Sequence, residues 1–177
     1  MEKLYIVSKY ITFIGSILKG FWEHLFCRIL GVPVQDARYL QANELCGHVD
    51  HDFTKGKAVT FLLCWLPGLM NRVFGYGMII GGYLGLFYVQ AETDKPIFWV
   101  YIVMLYLGVS LMCNVAPLYE DALNNWDLLY GKEQNANIVV KILAFLPSVY
   151  FLAAAWLEKY AVNLLLCIVA IVVGMVI

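Results

Sequence analysis

Charge is what this chain has least of. Of its 177 residues only 14% are Asp, Glu, Lys or Arg, and they sum to a net charge of −1. A basic stripe that could hold a phosphate backbone is therefore missing, which excludes nucleic acid as a partner. No Ser/Pro-rich linker, internal repeat or low-complexity tract divides the chain, so one domain over 1–177 is expected. The five cysteines, Cys27, Cys46, Cys64, Cys113 and Cys167, are odd in number and form no CxxC pair, which excludes a disulfide framework or a zinc ribbon. The opening residues do not read as a secretory leader. Glu2 stands where positive charge belongs, Lys9 interrupts the apolar run, and no small-x-small cleavage site follows.

What fills the chain instead is apolar. Hydrophobic residues make up 62% and the mean hydropathy is +0.74, against roughly 45–50% apolar content in soluble domains. These values predict an all-α integral membrane protein, a compact bundle of four to five transmembrane helices with the lipid bilayer as its solvent. Spans are expected at about 4–26, 72–90, 97–115, 138–157 and 161–177, the fourth kinked at Pro147. The first carries Lys9 and Lys19, which a span accommodates by snorkelling; an amphipathic helix in the interface is the other reading. Residues 58–89 form an apolar run about 48 Å long as a helix, too long for one straight crossing of a core about 30 Å thick. Pro67 and Gly68 mark the expected break, giving a re-entrant or interfacial half-helix at 58–68. Gly77, Gly81 and Gly85 then make two overlapping GxxxG repeats, a close-packing seam for the Gly108 face of the next helix or for a second copy in a homo-oligomer.

Two polar phrases remain. Residues 28–57 carry Arg28, Arg38, Lys55 and Lys57, which the positive-inside rule places in the cytoplasm, with an inner bacterial membrane as the expected location. The second phrase, 118–137, is expected on the same side and begins with an amphipathic helix, Leu118, Ala122, Trp126 and Leu129 repeating at helical spacing. His24, near a membrane boundary, reads as a surface or capping histidine. Within the first phrase, NELCGHVDHDF at 43–53 is the densest group of ionisable side chains. If a helix starts near Gln35 and runs through it, Glu44, His48 and His51 share one face at i, i+4 and i+7. Two imidazoles and carboxylates are the usual zinc set, so His48, His51 and Asp121 are candidate metal ligands. Glu44 or Glu120 is the candidate catalytic base, with Asn114 as an orienting side chain. The opposing reading is a solvated turn paired with Arg38, Lys55 or Lys57.

These residues carry a resemblance. Glu44 and His48 on a helix, followed two spans later by Asn114, Pro117 and Asp121, resemble the layout of membrane-embedded zinc metalloproteases of the site-2-protease type. That family has His-Glu-x-x-His on one helix and a later Asn-Pro-Asp-Gly region supplying the third zinc ligand. The resemblance implies a zinc-dependent hydrolase scaffold over about 80 residues. Asn43 stands at the first histidine, Cys46-Gly47 lengthens the interval to His48, and Ala122 replaces the glycine after the acid. The phrase Asn114-x-x-Pro117-x-x-Glu120-Asp121-Ala122-x-Asn124-x-Trp126 also resembles small bacterial multi-span proteins, a likeness that implies a family without an activity. Two other classes stay open: a non-enzymatic membrane scaffold built on the glycine seam, and a small transporter or channel, for which Lys141, Pro147 and Asn163 are the intramembrane hints.

Overall fold

The computed structural model describes residues 2–39, 48–52, 56–90, 92–131 and 136–176. Among them are seven α-helices and one two-stranded antiparallel sheet, in the order α1 (Glu2–Ile11), α2 (Phe13–Ile29), β1 (Val34–Arg38), β2 (His48–His51), α3 (Lys57–Tyr83), α4 (Pro96–Met112), α5 (Tyr119–Tyr130), α6 (Ile138–Glu158) and α7 (Val162–Val176). The chain is thus predominantly helical, as its apolar composition predicts. Two helices, Lys57–Tyr88 and Ile138–Glu158, are long and apolar enough to cross a membrane, whereas Pro96–Met112 and Val162–Gly174 are shorter apolar helices. The expected count of four to five spans therefore reduces to two by length and composition.

The segment before Pro67 is not a separate half-helix. Residues 57–83 form one α-helix that runs through Pro67 and Gly68 and continues as a π-helical turn, Leu84–Tyr88. The reason lies in packing. Gly68 faces the backbone carbonyl of Val115, where any Cβ would collide, so this glycine admits a neighbouring chain instead of ending the helix. One turn on, the fully buried Asn71 donates from Nδ2 to the carbonyls of Gly15 (3.1 Å) and Asn114 (2.7 Å), tying α3 to α2 and to the end of α4. The glycine seam expected against Gly108 exists, in a shifted register. A Cβ at Gly82 would meet the Tyr101 carbonyl at 2.8 Å, and one at Gly108 would meet the Gly75 carbonyl at 2.9 Å. Gly85 packs on the Tyr101 ring and Gly81 on Met104, while Gly77 faces open space. Spacing of seven between Gly75 and Gly82, not four, sets the contact.

The amino-terminal segment is two helices joined at Thr12, whose amide donates to the Ser8 carbonyl at 2.9 Å. Its lysines do not snorkel. Lys9, on α1, is 4% exposed, and Lys19 is 7% exposed because α2 turns a small and polar face, Gly15, Ser16, Lys19, Gly20, Glu23 and Cys27, into the bundle. Lys9 Nζ is 2.5 Å from Glu158 Oε1 and donates at 2.5 Å to Asn114 Oδ1. Apolar side chains point outward instead: Ile142, Leu143 and Leu146 of α6 are 69%, 73% and 76% exposed.

The helix expected near Gln35 is replaced by the β1–β2 ladder. Val34 pairs with His51, Ala37 with Val49 and Arg38 with His48, and a bulge lies between Val34 and Asp36. A strand repeats every two residues, so the helical face proposed for positions 44, 48 and 51 does not form. Glu44 lies outside the described residues, as does the side chain of His48.

Candidate metal centre

Strand periodicity delivers His51. Val49 and His51 are two apart on β2 and face α2, Val49 fully buried and the His51 side chain 6% exposed, while Asp50 and Asp52 alternate outward. Helix α2 meets them with Lys19, Glu23 and Cys27, four residues apart on one buried face. The third element is the first turn of α5, which contributes Asp121 from its acidic start, where the helix dipole favours a carboxylate.

The three elements converge on Glu23, His51 and Asp121, whose ligand atoms all lie within 4.8 Å of one another. His51 Nε2 stands 3.9 Å from Glu23 Oε1 and 3.7 Å from Asp121 Oδ1. Those separations exceed hydrogen-bond length and are slightly wider than the edge of a tetrahedron about a zinc ion, about 3.4 Å for ligand bonds of about 2.0–2.1 Å. Carboxylates within 4.8 Å of each other repel, a repulsion that the buried Lys19 ammonium on the same face of α2 and a bound cation would both relieve. The group can therefore hold a metal ion. Cys27 is fully buried on the same helix face; burial, reinforced by the Glu23 and Asp121 carboxylates, pushes its thiol up to about 12. The Cys64 thiol donates to the Asp121 carbonyl at 3.5 Å, fastening the start of α5 to α3.

Of the candidates read from the sequence, His51 and Asp121 come together here. Glu120 does not join them: one residue along a helix is about 100° around it, and its side chain is exposed. Asn114 belongs to a second polar cluster. Its amide donates to Thr12 and Ser110, and its oxygen accepts from Lys9 and from Ser16 (2.8 Å). There it orders the turn before α5, where Glu158 Oε2 accepts from the Ala116 amide at 3.1 Å. Gly77, Gly81 and Gly85 have no part in the centre. The residue that sequence reading missed is Glu23. Attention fell on its neighbour His24, which is half-buried with Nδ1 2.6 Å from the Tyr39 hydroxyl. The available signal was Lys19, Glu23 and Cys27 at four-residue intervals on one face of α2. Comparisons with protein-family models, curated proteins and solved structures found no match to this chain.

Proposed function

We propose that this chain is a membrane-embedded metal protein of the metallohydrolase type, with Glu23, His51 and Asp121 holding a zinc ion at the membrane boundary. The observation that carries this reading is the convergence of one imidazole and two carboxylates, from three separate elements, with their ligand atoms within 4.8 Å of one another. Zinc takes both imidazole nitrogen and carboxylate oxygen as ligands, and three protein ligands leave a fourth position for water. Such an ion supplies Lewis acidity and lowers the pKa of water. The chain's own groups hold and orient: α5 presents Asp121, β2 fixes the His51 ring, and the Lys19 ammonium one turn from Glu23 offsets part of the buried negative charge.

The likeness to site-2-protease-type enzymes retains its second phrase on this reading, while Glu44 of the first lies outside the described residues. Asp121, one of the residues that carry the likeness, belongs to the converged group, and Asn114 stands in the neighbouring polar cluster. The bilayer position follows from α3. The turn Glu92–Lys95 is exposed and charged, so Tyr88 marks one boundary; about 20 residues cross the hydrocarbon, which puts the other near Gly68. Helix α4 ends at Met112 and Val115 packs on Gly68, in keeping with that level. The metal centre, beside Cys64, then sits at headgroup depth, on the side expected to be cytoplasmic.

Elemental analysis of the detergent-purified chain, loaded with one equivalent of zinc and desalted, tests the proposal. One zinc per chain is expected, falling to a small fraction in Asp121→Asn and His51→Ala variants that retain their thermal unfolding transition. No retained zinc in the wild type, or equal retention in the variants, refutes it.

A further inference from the structure

A second site lies on the flank of the bundle. Between α3, α4, α6 and α7 runs an open cavity of about 420 Å³, within the size range of small-molecule sites. Its polarity is graded. One end gathers Arg72, Tyr150 and Asn163; the other is walled by Ile79, Tyr83, Ala170 and Ile171. Helices α3 and α7 run the same way along it, since Met112, which packs on Gly75 of α3, lines the groove with Cys167, and the Tyr83 hydroxyl donates to the Gly174 carbonyl further on. From Arg72 to Tyr83 the groove is about 16 Å long at helical rise.

Arg72 is the feature that calls for an explanation. It is the one charged residue among the described residues that line the cavity. Its Nη2 donates to the Tyr150 hydroxyl and its guanidinium lies 5.1 Å from the centre of that ring. Neither contact neutralises the charge, and a guanidinium inside an apolar segment is costly without an anion. By the same count along α3, Arg72 lies about 24 Å from Tyr88, only about 6 Å inside the boundary near Gly68. From that depth an arginine side chain snorkels its guanidinium to the boundary, where lipid phosphates lie.

We propose that this groove binds an acidic phospholipid, its phosphate on Arg72 with Tyr150 and Asn163 beside it, and one acyl chain along Ile79, Ala170 and Ile171. Charge complementarity selects the anionic headgroup, and the apolar far end selects a chain. The planar guanidinium matches a phosphate bidentately. This inference rests on the membrane embedding proposed above and is independent of the metal.

The test uses the full chain reconstituted in nanodiscs of equimolar phosphatidylglycerol and phosphatidylcholine, with retained lipid counted by native mass spectrometry. Wild type is expected to favour phosphatidylglycerol about fivefold, the effect of one favourable Arg contact of about 1 kcal/mol. Arg72→Gln should bring the ratio to about one, and Ala170→Phe, which fills the chain end, should lower retention with Arg72 intact. No preference in wild type, an unchanged ratio in Arg72→Gln, or full retention in Ala170→Phe overturns the proposal. Displacement by an equal mole fraction of oleate also overturns the assignment to a phospholipid. Alkaline extraction of the native membranes separates the two readings: a chain released by carbonate sinks the embedding, whereas an embedded chain without lipid preference sinks only the groove.

Discussion

Breaking the Lys9–Glu158 pair from one side should cost far more than removing its charge from both. The two side chains are 4% and 7% exposed and 2.5 Å apart, joining α1 to the end of α6. Glu158→Gln leaves an enclosed ammonium without an anion, beside neutral oxygens and the Tyr5 ring, and Lys9→Met leaves an enclosed carboxylate without a cation, beside the Ala116 amide. Removing one partner of a buried pair destabilises by about 3–5 kcal/mol, because the other charge stays desolvated and uncompensated. The double variant Lys9→Met/Glu158→Gln carries no buried charge, and its glutamine oxygen still accepts from the Ala116 amide. Its cost should be below about 2 kcal/mol, giving a coupling energy of several kcal/mol in a double-mutant cycle. Reversible denaturant unfolding of the detergent-solubilised protein measures all four species. Additive costs, or single variants within about 1 kcal/mol of wild type, would refute the argument that this pair is enclosed in the bundle.

Other expectations concern the seam, the tie and the thiol. Gly82→Ala drives a Cβ against α4 backbone and should cost about 1–3 kcal/mol, whereas Gly77→Ala, with nothing within 4 Å, should be neutral or stabilising by up to about 1 kcal/mol; a shared thermal-shift series compares them. Asn71→Leu removes the donor to two buried carbonyls and should cost about 2 kcal/mol or more by the same measurement. In chelator-treated protein, Cys27 keeps its proton in the fold while the unfolded thiol loses it above 9.0. Its contribution is complete below that pH and is lost as pH rises towards about 12, at a slope of at most about 1.4 kcal/mol per pH unit. Cys27→Ser should flatten the stability–pH curve in that window; an identical slope would contradict the burial argument.

Much of the scaffold was legible in the chain. The long apolar runs gave α3, α4, α6 and α7, and the alternation of Leu118, Ala122, Trp126 and Leu129 against Asn124, Asn125 and Asp127 gave α5. Two local signals were misread for identifiable reasons. Pro67-Gly68 looks like a break, but Gly68 is there to let Val115 approach, a demand made by a residue on another element. His48-Val49-Asp50-His51-Asp52 contains a period-two alternation, Val49 and His51 inward with Asp50 and Asp52 outward, which competes with a helical reading of the same letters.

Sequence by itself determined what depends on neighbours along the chain: an apolar exterior, helices of set length, small residues at close-packing intervals, and the acidic first turn that presents Asp121. Tertiary structure decided what depends on convergence. Glu23 is the lone carboxylate of α2 until β2 brings His51 and α5 brings Asp121 to within ligand distance of it. Lys9 and Lys19 look like snorkelling side chains until Glu158 and Asn114 receive the first and the small, polar face of α2 turns the second inward. Burial and pairing are properties of the packed bundle, because the free energy of a charge is set by the groups that replace its water.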